Sequence, residues 1–127
     1  MSLDVIFSTS FDEKNPPTNV LSTNKSSFWS TTGVYPQELD LAFSTAKSIS
    51  EMTIIGYNLK KIIIESCEND SAVKYITQCE LSDIPLKENK LQEINCSFSN
   101  KSVNKLIKLT VLDGYGDFSI INAISFK

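Results

Sequence analysis

Serine–lysine pairs are the first residues in this sequence whose types and spacing could do chemistry. They are Ser22–Lys25, Ser44–Lys47 and Ser102–Lys105. In penicillin-recognising enzymes a Ser-x-x-Lys pair on a helix activates the serine, beside Ser-Asp-Asn and Lys-Thr-Gly elements. Neither element occurs in this sequence, and we predict loops or strand ends at all three pairs. Chance in a chain rich in Ser and Lys explains them.

Paired carboxylates are the second group that could do chemistry, as a general acid and its partner. Glu38 and Asp40 share the polar face of a predicted strand, which is typical of a solvated surface. Asp113 and Asp117 flank a glycine-containing turn, where Asp is common for backbone reasons alone. The remaining pairs are Asp12–Glu13 and Glu65/Glu68. We therefore predict no catalytic residues.

The composition excludes several enzyme classes. The 127-residue chain contains no His, which removes Ser-His-Asp and Cys-His catalysis and His-ligated zinc or haem. Its 12 cationic residues are all Lys and oppose 15 acidic residues, for a net charge of -3. Nucleic-acid binders normally present a basic stripe and use Arg to grip bases and phosphates. We predict a protein that is not an enzyme and does not bind nucleic acid.

The cysteines indicate a reducing environment. Cys67, Cys79 and Cys96 are odd in number and contain no Cys-x-x-Cys pair, which argues against a disulfide framework and a Cys-only zinc site. We predict that they are small core or strand residues. The N-terminus has no basic, apolar leader pattern, and no stretch is long enough to span a bilayer. We therefore expect an intracellular protein without membrane insertion.

Alternating apolar residues predict strands with one buried face. Three segments of the sequence show this alternation. Five further runs, at residues 3–9, 50–57, 60–66, 73–79 and 92–98, have a β-rich composition. The predicted buried faces of the three alternating segments are Leu39, Leu41 and Phe43 in residues 37–43, Ile107, Leu109 and Val111 in residues 105–111, and Phe118, Ile120, Ile124 and Phe126 in the last segment, which Asn122 interrupts.

Turn signals between these runs indicate the fold class. We predict a hairpin loop at Asp113–Asp117, whose glycines would supply positive-φ positions. Pro16-Pro17 predicts an extended stretch after the first strand. About eight short strands with this density of turns predict one antiparallel all-β domain over residues 1–127, a β-sandwich or barrel.

A polar loop precedes the single Trp. Residues Asn19 to Ser27 are dense in Asn, Ser and Thr and lead into Phe28-Trp29. Such a loop can wrap a hard cation with its oxygens. Alternatively, its polar groups satisfy the loop's own backbone while Trp29 anchors the loop to the core. Without further information we favour the second interpretation.

The segment around this loop resembles the intraflagellar transport protein 25 family, small subunits of the ciliary transport complex B. That family has an Asp-Glu-Lys-x-Pro-Pro-x-Asn stretch, followed by Phe-Trp-x-Thr-Thr-Gly-x-x-Pro-Gln-Glu. Here the two halves are residues 12–19 and 28–38, at the family's spacing. A joint match of this length is more specific than a single short motif.

The resemblance implies a fold and a partner. The fold is an eight-stranded jelly roll of the galactose-binding-like type, in agreement with the strand count above. The partner is a Rab-like small GTPase, intraflagellar transport protein 27, in a stable heterodimer. We expect the interface to be an exposed apolar patch. An aromatic at the predicted turn, Tyr115, is a candidate contact.

The resemblance also implies a calcium ion in the loop before the Phe-Trp pair. By position its ligands would be Asn19, Ser22 and Ser27. The family has Asp where this chain has Ser22, and usually Thr where it has Ser27. Charge count largely sets calcium affinity, and Lys25 adds repulsion. We therefore predict that calcium binding is weak or lost here.

Two functions from different classes follow. The first is a non-enzymatic subunit of intraflagellar transport complex B, in the cilium or flagellum and the cytoplasm, bound to its GTPase and other complex B subunits. The alternative is a calcium-assisted carbohydrate- or ligand-binding β-sandwich domain, because jelly rolls host many such sites.

Overall fold

The computed structural model describes residues 3–22, 27–32, 34–69, 71, 74–87, 90–98 and 103–127. This part of the chain forms nine strands and a short 3-10 helix, Pro17–Leu21. None of its helices is long and apolar enough to cross a membrane. The strands are β1 Leu3–Ser8, β2 Trp29–Ser30, β3 Gln37–Ser48, β4 Glu51–Tyr57, β5 Leu59–Cys67, β6 Ile76–Leu81, β7 Gln92–Ser97, β8 Val103–Gly114 and β9 Ile120–Phe126.

The strands form two antiparallel sheets. The five-stranded sheet has the order β1-β3-β8-β5-β6, and the four-stranded sheet has the order β2-β9-β4-β7. The predicted antiparallel β-sandwich is therefore confirmed. Each predicted run corresponds to one strand of the structure, and the two-residue β2 is an addition that no periodicity could signal.

The central strands β3 and β8 carry the middle of the core. Leu39 lies opposite Leu109, and Leu41 lies opposite Ile107. All four side chains are at most 1% exposed. The predicted faces of both strands are confirmed, because residues opposite each other in an antiparallel ladder point to the same side of the sheet.

The predicted face of the last strand is wrong in its first half. Ile121, not Ile120, enters the core, and Phe118 lies before the strand with 45% of its surface exposed. The ladder pairs Gly56 with Ile121 but Ile55 with Ala123, so one residue of β9 bulges out between them. A bulge reverses the alternation of side chains along a strand, and periodicity read without it assigns the wrong face.

The predicted hairpin at Asp113–Asp117 is also wrong. Strands β8 and β9 belong to different sheets, so this segment crosses from one sheet to the other. No described glycine has a positive φ. Gly114 is required for space instead: a Cβ there would lie 2.7 Å from both the Asn58 carbonyl oxygen and Ser119 Oγ, and closer still to the Tyr35 hydroxyl.

Each of the three cysteines lies in a strand, as predicted. Cys67 ends β5, Cys79 lies in β6 and Cys96 lies in β7, and all are free thiols. Cys67 and Cys96 are buried, whereas Cys79 is partly exposed.

We expect Gly114→Ala to lower the free energy of unfolding by about 1–3 kcal/mol, the usual cost of forcing extra atoms into a packed site. Gly116→Ala is the matched control, because its Cβ would come no closer than 3.3 Å to any atom, the nearest being in the Asn58 side chain. Adding Tyr35→Phe to Gly114→Ala removes one clashing atom and should recover part of the loss. Urea unfolding of the four proteins measures these differences, and equal midpoints for the two alanine variants would contradict the spatial explanation.

Candidate functional site

Trp29 is the anchor of the segment that carries the family-like motif. Its side chain is fully buried, and its indole Nε1 donates a hydrogen bond to the Ser10 carbonyl oxygen at 2.9 Å. Residues 29 and 30 also pair with Ile121 and Ile120 of β9. The prediction that Trp29 anchors the polar loop to the core is confirmed.

A buried polar network joins the end of β1 to the start of β3. Gln37, only 5% exposed, accepts hydrogen bonds through Oε1 from the Ser10 hydroxyl and from Thr9 Oγ1, and its Nε2 donates to the Val34 carbonyl oxygen at 2.7 Å. Ser10 Oγ also accepts from the Thr32 amide at 2.9 Å. Each buried polar group thereby gains a partner, which is what such a group requires.

A second network ties the same segment to the residue before β9. Thr31 Oγ1 accepts a hydrogen bond from the Ser119 amide at 2.8 Å, and the Thr31 amide donates to the Ser119 carbonyl oxygen at 3.0 Å. The Tyr35 hydroxyl lies 2.8 Å from Ser119 Oγ, which also donates to the Asn58 carbonyl oxygen. Gly33 lies outside the described residues. The motif residues 28–38 therefore act as structural connectors between the sheets.

The predicted calcium ligands lie around the 3-10 helix. Asn19 lies within this helix, and its Nδ2 donates to the Phe28 carbonyl oxygen at 3.0 Å. The structure thus brings Asn19 to the far end of the loop, beside Ser27, whose carbonyl oxygen accepts a hydrogen bond from Asn122 Nδ2 at 3.4 Å. Ser22 is exposed and caps the helix at its C-terminal end. Residues 23–26, which include Lys25, lie outside the described part of the chain.

These three positions do not fit calcium well. They supply only neutral amide, hydroxyl and carbonyl oxygens, whereas calcium sites in proteins rely on carboxylates. Among the described residues, no group of three or more Asp, Glu, Cys or His side chains could hold a metal ion. That calcium binding is weak or lost stays a prediction.

A row of charged side chains crosses the outer face of the five-stranded sheet. Asp40 lies opposite Lys108, which lies opposite Glu65 on its other side. The Lys108 ammonium also lies 4.2 Å from the centre of the Tyr75 ring. Two carboxylates therefore flank one ammonium, and an aromatic ring covers part of the row.

Asp40 is less solvated than its predicted place on a polar face implies. It is half-buried, and its Oδ1 is shielded from solvent without a hydrogen-bond partner among the described residues. Burial, followed by the side-chain hydrogen bond to Glu38 and the charge of that carboxylate, raises the pKa of Asp40 to about 7. Lys108 offsets only part of this effect. The prediction of a solvated face is thus wrong at Asp40, whose side chain is half-buried.

Two carboxylates of the other predicted pairs, Asp12 and Asp113, have structural explanations. Asp12 Oδ1 accepts from the Lys14 amide at 3.0 Å, within a turn. Asp113 Oδ1 accepts from the Gly114 amide at 2.8 Å, and its other oxygen lies 4.0 Å from Lys60 Nζ. Asp12 and Asp113 therefore each accept a hydrogen bond from a nearby backbone amide, which is common for Asp beside turns.

The serine–lysine pairs have no helical setting in the described residues. Ser44 and Lys47 both lie in β3, whereas activation of the serine requires a helix. Lys25 and Ser102, which complete the other two pairs, lie outside the described residues.

Exposed apolar side chains cluster at the first strand. Ile6, Phe7 and Phe11 are 54%, 49% and 66% exposed. With Pro16 and Pro17 they line a groove of about 450 Å³. β1 is an edge strand, and the ladder is irregular between Val5 and Phe7. We call Ile6, Phe7, Phe11, Pro16 and Pro17 the β1 patch, in which Pro17 is buried at the wall of the groove and the other four side chains are exposed or partly exposed. Clustered exposed apolar groups of this kind mark interaction surfaces.

A second groove lies on the outer face of the four-stranded sheet. It has a volume of about 410 Å³, and two aromatic side chains, Phe28 and Tyr57, lie along it. Leu91, Ile120, Lys90 and Asn122 complete its lining. An aromatic surface beside an amide is the arrangement that a sugar site would use.

Tyr115 is held by contacts within the chain. Its hydroxyl donates to the Ile84 carbonyl oxygen at 2.5 Å, and Lys60 Nζ lies 5.6 Å from the ring centre. These contacts explain an aromatic residue at this position without a partner. A role of Tyr115 in binding stays a prediction.

The sequence is similar to proteins named intraflagellar transport protein 25. It is 28% identical over 123 residues to that of Chlamydomonas reinhardtii, which covers 95% of this chain and 62% of the relative. It is 29% identical over 122 residues to the human homologue, which covers 96% of this chain and 83% of the relative. No family model matches. The resemblance is thus confirmed and extends along 95–96% of the chain, which spans about 62% of the length of the Chlamydomonas relative.

Solved structures show the same fold. A family 32 carbohydrate-binding module from Clostridium perfringens, in complex with galactose, superposes with a TM-score of 0.81 over 98% of this chain and 92% of that chain, at 19% identity. A second module from that organism, in complex with a galactose-containing disaccharide, gives 0.79 at 14% identity. The galactose-binding-like jelly roll is therefore confirmed.

The raised pKa of Asp40 has a consequence for stability. Its pKa in the folded chain is about 7, above the usual 3.8, so the folded state holds its proton more tightly and loses stability as pH rises from about 4 to above 7. We expect Asp40→Asn to reduce the difference in unfolding free energy between pH 5 and pH 8 by about 1–2 kcal/mol, after allowance for solvent screening. Glu93→Gln, on the other sheet, is the control, and identical pH profiles for Asp40→Asn and the native chain would refute this.

Calcium is expected to leave the native chain unchanged. Its Tm should be the same in EDTA and in millimolar calcium, because the loop offers no charged ligand at position 22. We expect Ser22→Asp to strengthen calcium binding at least about tenfold, whereas Ser71→Asp, in another exposed loop, should not. Calorimetric titration measures both, and a site in the native chain that fills at micromolar free calcium would overturn the prediction.

Proposed function

We propose that this chain is a non-enzymatic subunit of intraflagellar transport complex B, in the cilium or flagellum and the cytoplasm. The observation that carries the proposal is the similarity along 95–96% of the chain to three proteins named intraflagellar transport protein 25. The described site supports it, because the motif residues serve packing and hydrogen bonding within the domain rather than a reaction.

The partner that we propose is the Rab-like small GTPase, intraflagellar transport protein 27. A rigid sandwich can bind a folded partner without moving its own backbone, since both sheets are fixed by long ladders. The binding surface needs apolar side chains that the domain leaves exposed, with a polar rim.

The β1 patch meets these requirements best among the described surfaces. It places two phenylalanines, Phe7 and Phe11, within one groove. Aromatic residues at the centre of an interface contribute most to binding. Carboxylates at Asp4, Asp12 and Glu13 lie next to it along the chain, so the matching surface of the GTPase should be apolar with basic residues around it.

The alternative function is a carbohydrate- or ligand-binding domain with calcium. Its support is the groove with Phe28 and Tyr57 and the likeness to carbohydrate-binding modules, which at 14–19% identity concerns the fold. A fold hosts many functions, so this likeness does not identify a ligand.

The test is affinity purification of the tagged chain from ciliated cells, with mass spectrometry of proteins recovered in stoichiometric amounts. We expect one Rab-like GTPase together with complex B subunits. Glycoproteins instead, with binding to a glycan array, would establish the alternative and refute the transport function.

The surface is tested with a pair of variants. Phe7→Ser combined with Phe11→Ser should weaken GTPase binding at least about 100-fold, because truncating an aromatic hot-spot residue at the centre of an interface costs about 2 kcal/mol or more. Val34→Ser is the control, since Val34 is 85% exposed and lies apart from the patch in the chain. Titration of the purified GTPase measures both. An unchanged dissociation constant in the double variant would exclude the β1 patch while leaving the transport function intact.

A further inference from the structure

Two cysteines enter the core from opposite sheets. Cys79 lies in β6, at one edge of the five-stranded sheet, and Cys96 lies in β7, at one edge of the four-stranded sheet. Cys79 pairs with Ile64, and Cys96 pairs with Met52. Ile64 and Met52 are fully buried. Since paired residues share a face, both thiols point into the space between the sheets.

The two thiols meet there. Cys79 packs against the buried cluster that contains Cys96, and the two side chains are close enough for Cys79 to raise the pKa of the Cys96 thiol. Strands β6 and β7 are in contact although they belong to different sheets. This contact is specific to the pair, because the third cysteine, Cys67, pairs with Leu106 of β8 and its Sγ lies 3.9 Å from Asn69 Oδ1.

The two cysteines differ in their exposure to solvent. Cys96 is fully buried, whereas Cys79 is partly exposed. Burial, and then the hydrogen bond with Cys79, raises the pKa of the Cys96 thiol. A reagent from solvent can therefore reach Cys79, and Cys96 reacts only with a group already attached to Cys79.

We propose that Cys79 and Cys96 form a thiol–disulfide site, in which Cys79 is the attacking residue and Cys96 the resolving residue. The oxidant is a small disulfide of the glutathione class. The Cys79 thiolate attacks one sulfur of this disulfide, forms a mixed disulfide and releases one small thiol after that leaving group takes up a proton. Cys96 then loses its proton and attacks the Cys79 sulfur, which releases the second small thiol. Overall, two protein thiols are oxidised and one small disulfide is reduced.

A disulfide between Cys79 and Cys96 would join the two sheets covalently. The new bond links the edges formed by β6 and β7 and closes the segment between residues 79 and 96. Bonds that close loops of this length stabilise a domain mainly by restricting its unfolded state. β6 lies at the opposite edge of the five-stranded sheet from β1, so this site is separate from the β1 patch and independent of the proposed function.

The experiment uses the full chain with Cys67→Ala, which removes the third thiol, incubated with glutathione disulfide under native conditions. We expect the loss of two free thiols, a Cys79–Cys96 linked peptide after digestion, and a rise in Tm of about 5 °C or more that dithiothreitol reverses. Cys96→Ala should stop at a glutathione adduct on Cys79, and Cys79→Ala should remain unmodified.

Three outcomes would overturn the proposal. They are two thiols that stay free in the folded chain, a Cys79–Cys96 bond that forms only in denaturant, and a bond between two chains through Cys79. Because the chain that retains both thiols supplies the decisive measurement, the result stands even where a single variant folds poorly.

Discussion

The burial of one indole organises this domain. Trp29 has no exposed surface, and its N–H must find an acceptor inside the protein. That acceptor is the Ser10 carbonyl oxygen, and the Ser10 hydroxyl in turn bonds Gln37 and the Thr32 amide. One apolar ring thereby fixes where the first strand ends, where β3 begins and how β2 adds to the second sheet.

This dependence explains why the segment that carries the family-like motif has a structural role. Thr31 and Tyr35 contact Ser119 across the sandwich, and Gly114 leaves the space that Tyr35 occupies. Changing one member would leave a buried polar group without a partner, which costs more than the lost hydrogen bond alone. Residues that such a family shares can therefore preserve the domain while the binding surface lies elsewhere, as we propose for Phe7 and Phe11.

Local irregularities of the strands decide which apolar residues face outward. The shift between Val5 and Phe7 in β1 interrupts the alternation that would bury every second side chain. Ile6 and Phe7 are then both about half exposed. In β9 the bulge at Asn122 has the opposite result, because it returns Ile121 and Ile124 to the same core. Bulges commonly redirect side chains in this way at sheet edges and functional surfaces.

The sequence by itself determined the fold class, the faces of β3 and β8, the burial of Trp29 and the free, strand-borne cysteines, because these follow from local periodicity and residue type. Only the tertiary structure decided which residues of β9 face the core and that residues 113–117 pass from one sheet to the other. It also decided the half-buried state of Asp40 and the packing of Cys79 and Cys96 in the same core. Each of these depends on contacts between residues far apart in the chain, and a bulge or an opposing sheet leaves no periodic signal in either segment. Side-chain alternation is a local property, whereas which two faces meet is set by how the sheets pack.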